Sequence, residues 1–224
     1  MSGIVTVTEP SIEPVSVVEA REHLRLDDDV DESLVFSLIL AARQWAENYT
    51  GRSFINRTMQ MYLDGFSEKD TPLWEGTRTG IHITNYENYI EIVSAPVSAV
   101  SSIKYYDDSN TQSTWATTNY YVDTIREPAR ISLTDTGVFP TDLRKANGLE
   151  INYTAGYGAN RTDVPEAIRV AIMQYMTFMY EHRGDFERYP PPQPPKILGQ
   201  LLNPYKILRF GSNPYSKMLK TGIG

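Results

Sequence analysis

The chain has no cysteine and only three histidines among its 224 residues. The first absence excludes disulfide staples, thiolate metal sites and cysteine nucleophiles, and it fits a reducing compartment. His23, His82 and His182 fall on three different predicted elements, without H-x-x-x-H or H-E-x-x-H spacing, so the sequence offers neither a metal site nor a hydrolytic triad. No run of about 18 apolar residues is present to span a bilayer. The segment MSGIVTVTEPSIEP lacks the charged and apolar regions of a secretion signal, so a chain made and used in a cytosol is expected. Without such a signal, the four N-x-S/T sequons at Asn48, Asn56, Asn152 and Asn160 are chance matches.

Acids are missing from one place. Residues 188–224 hold no Asp or Glu, six Lys/Arg and seven of the 14 prolines, while the remaining 187 residues carry 15 basic against 28 acidic side chains. The net charge of -7 is thus -13 on a body and +6 on a tail. A tail with that many prolines cannot be one long helix, and it is too short for a core of its own. It reads as an arm. Its apolar residues Ile197, Leu198, Leu201, Leu202, Tyr205, Ile207, Leu208, Phe210 and Tyr215 would be bare on an isolated monomer, so they are expected to dock on another surface. The alternative is a strap folded back over the chain's own body. The acidic body argues against a sequence-reading DNA binder, which needs a basic face.

A hydrophobic content of 41% over this length can bury a real core. Ser16-Val17-Val18-Glu19 is a capping box that opens a first helix near 16–25. The acidic turn Asp27 to Asp31 supplies the start of a second helix near 32–51, in which Val35, Leu38, Ile39, Ala42, Ala46 and Tyr49 recur at helical spacing before Gly51. From Phe54 to Thr154 the apolar period becomes two, as at Met59, Met61 and Leu63, at Ile81 and Ile83, and at Leu149, Ile151 and Tyr153. Turn residues interrupt at Asp64-Gly65, Asp107 to Asn110, Thr136-Gly137 and Asn147-Gly148, giving short antiparallel strands. Pro165 then opens a third helix near 165–183, with Ile168, Ala171, Ile172, Tyr175 and Met179 on one stripe and Gly184 at its end. The expected fold class is α+β: a helical bundle with an inserted antiparallel β subdomain and an extended C-terminal arm. The corresponding boundaries are 1–53, 54–160, 161–187 and 188–224.

Catalytic patterns fail one by one. Asp27, Asp29 and Asp31 alternate as in a calcium loop, but Glu32 stands where the loop needs Gly and Leu38 where it needs a bidentate Glu. Gly156-Tyr157-Gly158 follows a predicted strand, yet Arg161 replaces the third glycine of a dinucleotide turn. A pair of carboxylates on separate loops leaves no linear signature, and Tyr105, Tyr106, Tyr120 and Tyr121 could form a sugar or protein platform, so a carbohydrate-binding or glycosidase-like module remains the competing reading. No cofactor is expected.

The segment EPVSVVEAREHLRLDDDVDESLVFSLILAARQWAENYTGRSFI resembles the N-terminal part of the tailed-phage head-tail connector, or adaptor, family. The likeness rests on Glu19 to Asp27 and on Tyr49-Thr50-Gly51-Arg52. Downstream, APVSAVSSIKYYDD, NYYVDTIREPARISL, INYTAGYG, VPEAIRVAIMQYMTFMYEHRGD and ILGQLLNPYKILRF are similar to the family's β insertion, closing helix and C-terminal ending. The resemblance implies a structural virion protein without catalysis, located at the neck and made in the host bacterial cytoplasm. It implies a ring of about a dozen copies, closed by head-to-tail contacts, that joins the portal protein to a stopper or tail-completion protein. DNA would pass through the ring without sequence-specific binding, and no membrane partner is implied. Carried onto this chain, the portal-binding arm comprises Ile197, Leu201, Leu202, Tyr205, Lys206, Leu208, Arg209 and Phe210.

Overall fold

A computed structural model describes residues 3–26, 32–65, 89–184 and 193–207. The expectations for Asp27 to Asp31, for Ile81, His82 and Ile83, and for residues 208–224 lie outside them. The described chain runs β1 (Gly3–Thr8), α1 (Val17–Leu24), α2 (Glu32–Thr50), β2 (Arg57–Leu63), β3 (Tyr89–Glu91), β4 (Val97–Tyr106), β5 (Gln112–Thr114), β6 (Tyr120–Asp123), β7 (Arg130–Leu133), β8 (Leu149–Ala155), α3 (Glu166–Glu181) and α4 (Ile197–Leu202).

Local chemistry sets the helix ends. The Ser16 hydroxyl accepts from the Glu19 amide at 3.2 Å while the Glu19 carboxylate accepts from the Ser16 amide at 2.8 Å, so two otherwise orphaned donors at the start of α1 are satisfied reciprocally. Arg25 ends the helix in the left-handed region, φ 55°. Gly51 does the same after α2 at φ 73°, a conformation with little cost only for glycine. Pro165 stands just outside α3, which starts at Glu166, one residue later than the sequence predicts.

The strands form two antiparallel sheets, one ordered β1-β2-β8-β4-β5 and the other β3-β7-β6. They share an apolar core to which Met59, Met61, Leu149, Ile151 and Tyr153 contribute from the larger sheet and Ile90, Ile131 and Tyr120 from the smaller. The opposite face of the larger sheet carries the alternate residues, and these form a polar ladder. Gln60 donates to Asn152 Oδ1 at 2.8 Å, Asn152 to Glu150 Oε1 at 2.9 Å, and the Tyr106 hydroxyl to Glu150 Oε2 at 2.8 Å. Burial acts to raise the Glu150 pKa, but these donors and Lys104 outweigh it and hold the carboxyl below its usual range.

A second core is helical. Val35, Ile39, Ala42 and Ala46 of α2 meet Ile168, Ala171, Ile172 and Met176 of α3, joined by Ala20 of α1 and by Phe54, Ile55 and Val164 from the connections to the sheet. Among the described residues no helix is long and apolar enough to cross a membrane. The structure differs from the sequence reading in one element of the body. Residues 3–8, which the sequence groups with the helices, extend the larger sheet as β1, with Ile4 opposite Met61 and Thr6 opposite Met59.

Candidate functional site

The arm is seated on the helical core. α4 is only six residues long, yet Leu198 and Leu202, four apart, share one face and are buried with the α2 and α3 stripes. The arm's apolar residues are expected to be bare on a monomer, and for these two the structure corrects that expectation. Leu202 has 0% of its surface exposed because α2 and α3 leave an apolar seat that a single turn of helix can fill. Leu201 and Tyr205 are half-buried against the same cluster. Ile197 points outward at 47% exposure. Leu208, Arg209 and Phe210 lie outside the described residues.

Polar contacts then tie the arm to the C-terminal end of α2. The Tyr49 hydroxyl donates to Asn203 Oδ1 at 2.7 Å, and the Ile207 amide donates to the Thr50 carbonyl at 2.9 Å. That second bond satisfies one of the carbonyls a helix end leaves open. The exposed Lys206 places its ammonium 4.7 Å from the centre of the Tyr49 ring. Arg52, just past the left-handed Gly51, is the branch point: its Nε donates to the Tyr205 carbonyl and its Nη2 to Glu127 Oε2 at 2.5 Å. One guanidinium therefore links α2, the arm and the β6–β7 loop. Burial acts to lower the Arg52 pKa, but the hydrogen bond and charge of Glu127 outweigh it and raise the value.

Beneath this junction lies a cleft of about 640 Å³ whose lining includes Thr6, Glu47, Arg57, Ser94 and Ile207. The charges around Glu47 are matched. Glu47 receives Arg43 at 2.8 Å and Arg57 at 2.6 Å, and it also accepts from the Phe54 amide at 3.0 Å. Arg43 reaches back to Glu13 at 2.7 Å. With three donors on one carboxylate, the group reads as the clamp between α2 and the sheet. The tyrosines of the competing reading do not converge either. Tyr120 is buried against Trp115, Tyr105 lies on the core face of β4, Tyr106 belongs to the polar ladder on the other face, and only Tyr121 stands exposed.

Sequence reasoning found Arg52 within the Y-T-G-R stop but not its role, since Glu127 and the Tyr205 carbonyl are brought to it only by the tertiary fold. It missed Asn203 for the same reason.

Solved structures share this fold. A chain in the neck of an empty GTA particle computed with C6 symmetry matches with a TM-score of 0.69 at 21% identity, covering 93% of this chain and 97% of that one. A chain from the virion of a native gene transfer agent particle matches with a TM-score of 0.69 at 18% identity, covering 92% and 96%. A third, from the neck of a native GTA particle computed with C12 symmetry, gives 0.64 at 21% identity, covering 94% and 97%. No curated protein matches the chain. A sequence profile described as phage gp6-like head-tail connector protein matches residues 15–125, which run from the buried Val15 ahead of α1, through the Arg52 junction, to the loop after β6. With the capped α1, the left-handed stop of α2 and strands β2 to β6 falling inside that match, the chain belongs to the phage gp6-like head-tail connector family.

Proposed function

We propose that the chain is the structural connector of a phage-like neck, a ring that joins the portal to the stopper or tail and lets DNA pass, with no catalytic role. The observation that carries this reading is the family match across α1, α2 and the first half of the β region. Two further features support it. The neck structures that share the fold were computed with six-fold and twelve-fold symmetry, as a closed ring of repeated head-to-tail contacts requires. The acidic body keeps a conduit from adhering to the polyanion that moves through it.

The arm is the proposed portal contact, divided between two jobs. Leu198 and Leu202, with support from Leu201 and Tyr205, hold it to its own body. Ile197 and Lys206 face outward, and with Leu208, Arg209 and Phe210 they form the surface offered to the portal. Ring multiplicity amplifies a modest contact, because each docked arm raises the effective concentration of the next. The test is to add wild-type chain or an Ile197→Asp, Lys206→Glu double variant to portal-bearing capsids that lack the connector and to count bound copies. We expect the wild-type chain to bind in stoichiometric rings and the double variant to lose most occupancy while its stability falls by no more than about 1 kcal/mol, the worth of the exposed contact between Lys206 and the Tyr49 ring. Wild-type occupancy by the double variant removes the arm from the contact, and failure of the wild-type chain to bind removes the connector reading.

A further inference from the structure

Among the described residues the larger sheet ends in a bare edge. β1, GIVTVT, pairs with β2 on one side, and no described backbone hydrogen bond reaches its other side. Soluble proteins commonly blunt such edges with lysine, proline, bulges or a covering loop, because a row of unpaired amides and carbonyls is a template for another strand. β1 has no charge and no proline. Its pairing is regular from Gly3 to Thr6, with one register shift before Thr8. Val5 and Val7 are 50% and 52% exposed, so β-branched side chains suited to a sheet stand in water along that edge.

The far edge of the same sheet is protected. β5 covers only Lys104 to Tyr106 of β4, and the rest of β4 carries two register shifts, between Val97 and Ala99 and between Val100 and Ser102. Bulges of this kind twist an edge away from partners. The smaller sheet offers a different edge, β6. It pairs regularly with β7 from Tyr120 to Asp123, no described backbone bond reaches its outer side, and Tyr121 is 64% exposed.

We infer that β1 of one copy is extended by β6 of the next, so that main-chain hydrogen bonds between two unlike edges form the subunit contact of the ring. The occupant is a second copy because the structures sharing this fold stand in six-fold and twelve-fold symmetric necks. The two edges are unlike because a closing ring needs a heterologous contact; β1 meeting β1 would make a dyad and stop at two. Strand addition supplies affinity through the backbone and specificity through alternate side chains, with Val5 and Val7 meeting Tyr121 in one register and Val122 in the register shifted by one residue.

The inference rests on the connector reading, and the natural absence of cysteine allows both to be tested in one experiment. Val5→Cys or Val7→Cys is combined with Tyr121→Cys or Val122→Cys, giving four double variants, each incorporated into particles and treated with a short thiol crosslinker. Directly opposed residues on paired strands have Cβ atoms about 4.5–5.5 Å apart, within reach of such a reagent. We expect a ladder of crosslinked multimers from at least one pair and only monomers from every single-cysteine chain. Particles that retain the chain but give no ladder from any pair overturn the β1–β6 contact while leaving the connector reading in place. A dimer from Val5→Cys alone also overturns it, since that outcome shows β1 meeting its own copy. A chain absent from the particles overturns both.

Discussion

The Tyr49 hydroxyl donates to Asn203 Oδ1 at 2.7 Å across 154 positions of sequence, fixing the end of α2 to the turn that follows α4. This contact makes the described arm part of the folded body, because it sits beside the buried Leu198 and Leu202 rather than at a free tail.

Leu202→Ala is therefore expected to destabilise the body by about 2–5 kcal/mol, the usual range for a fully buried leucine that leaves a cavity. Ile197→Ala, on the outward side of the same helix, should stay within about 0.5 kcal/mol. Urea midpoints of the two variants decide the matter. Equal midpoints would mean that α4 does not rest on α2 and α3 in solution. For the same reason, deleting residues 196–224 is expected to lower the midpoint, whereas the sequence alone predicts a body unaffected by loss of the arm.

Arg52 should behave as a shared strut. Glu127 is 38% exposed, so Arg52→Ala should cost less than breaking a fully buried pair, about 1–3 kcal/mol, much of it from the Tyr205 carbonyl left without its donor. A double-mutant cycle of Arg52→Ala with Glu127→Gln should return a coupling of about 0.5–3 kcal/mol. Additive effects would show that the 2.5 Å contact carries no energy and that the β6–β7 loop is held to the helices by other means.

Much of this architecture is legible in the sequence because local signals and tertiary packing agree. The capping box at Ser16 and Glu19, the stripe from Val35 to Ala46, Gly51 at the stop of α2 and the period-two run Met59-Met61-Leu63 each lie where the pattern predicts. The α+β class follows from the two changes of apolar period. What stayed hidden depends on distant partners. Two buried positions in the six-residue α4 cannot reveal which surface they bury against. The GIVTVT segment could not be recognised as a strand without Arg57 to Leu63 beside it. The candidate site was legible as a list of arm residues but not as two faces, since Leu202 and Ile197 differ only in which side of one helical turn they occupy.

Ser16→Ala removes one half of the capping box and should cost about 1 kcal/mol, typical for loss of a side-chain N-cap. Glu19→Gln keeps an acceptor for the Ser16 amide but loses the charge facing Arg169, so it should cost less. Thermal midpoints in that order assign the stabilisation to the cap. The reverse order would assign it to the ion pair with α3.

The pH dependence of stability should change sign on the acid side of neutrality. At Glu19, burial acts to raise the pKa, but the Ser16 amide and hydroxyl and the Arg169 charge outweigh it and hold the value below the ordinary 4.5. Glu150 is depressed in the same direction through Asn152, Tyr106 and Lys104. A depressed carboxyl stabilises the fold fully above its unfolded pKa, and that contribution is lost as pH falls through the lower folded pKa. Glu13 runs the other way. Burial raises it above 4.5 despite Arg43, so its ionised form costs stability at neutral pH, and that cost is relieved as pH falls through the raised folded value toward 4.5. Urea midpoints should therefore hold steady or rise between about pH 7 and 5, then fall below about 4.5 as Glu19 and Glu150 take up protons. Glu13→Gln should abolish any rise in the upper window, and Glu19→Gln and Glu150→Gln should each make the acid limb shallower. If Glu13→Gln has the same profile as the wild-type chain, the Arg43 charge fully offsets the burial of Glu13, and the clamp beneath the arm is insensitive to pH.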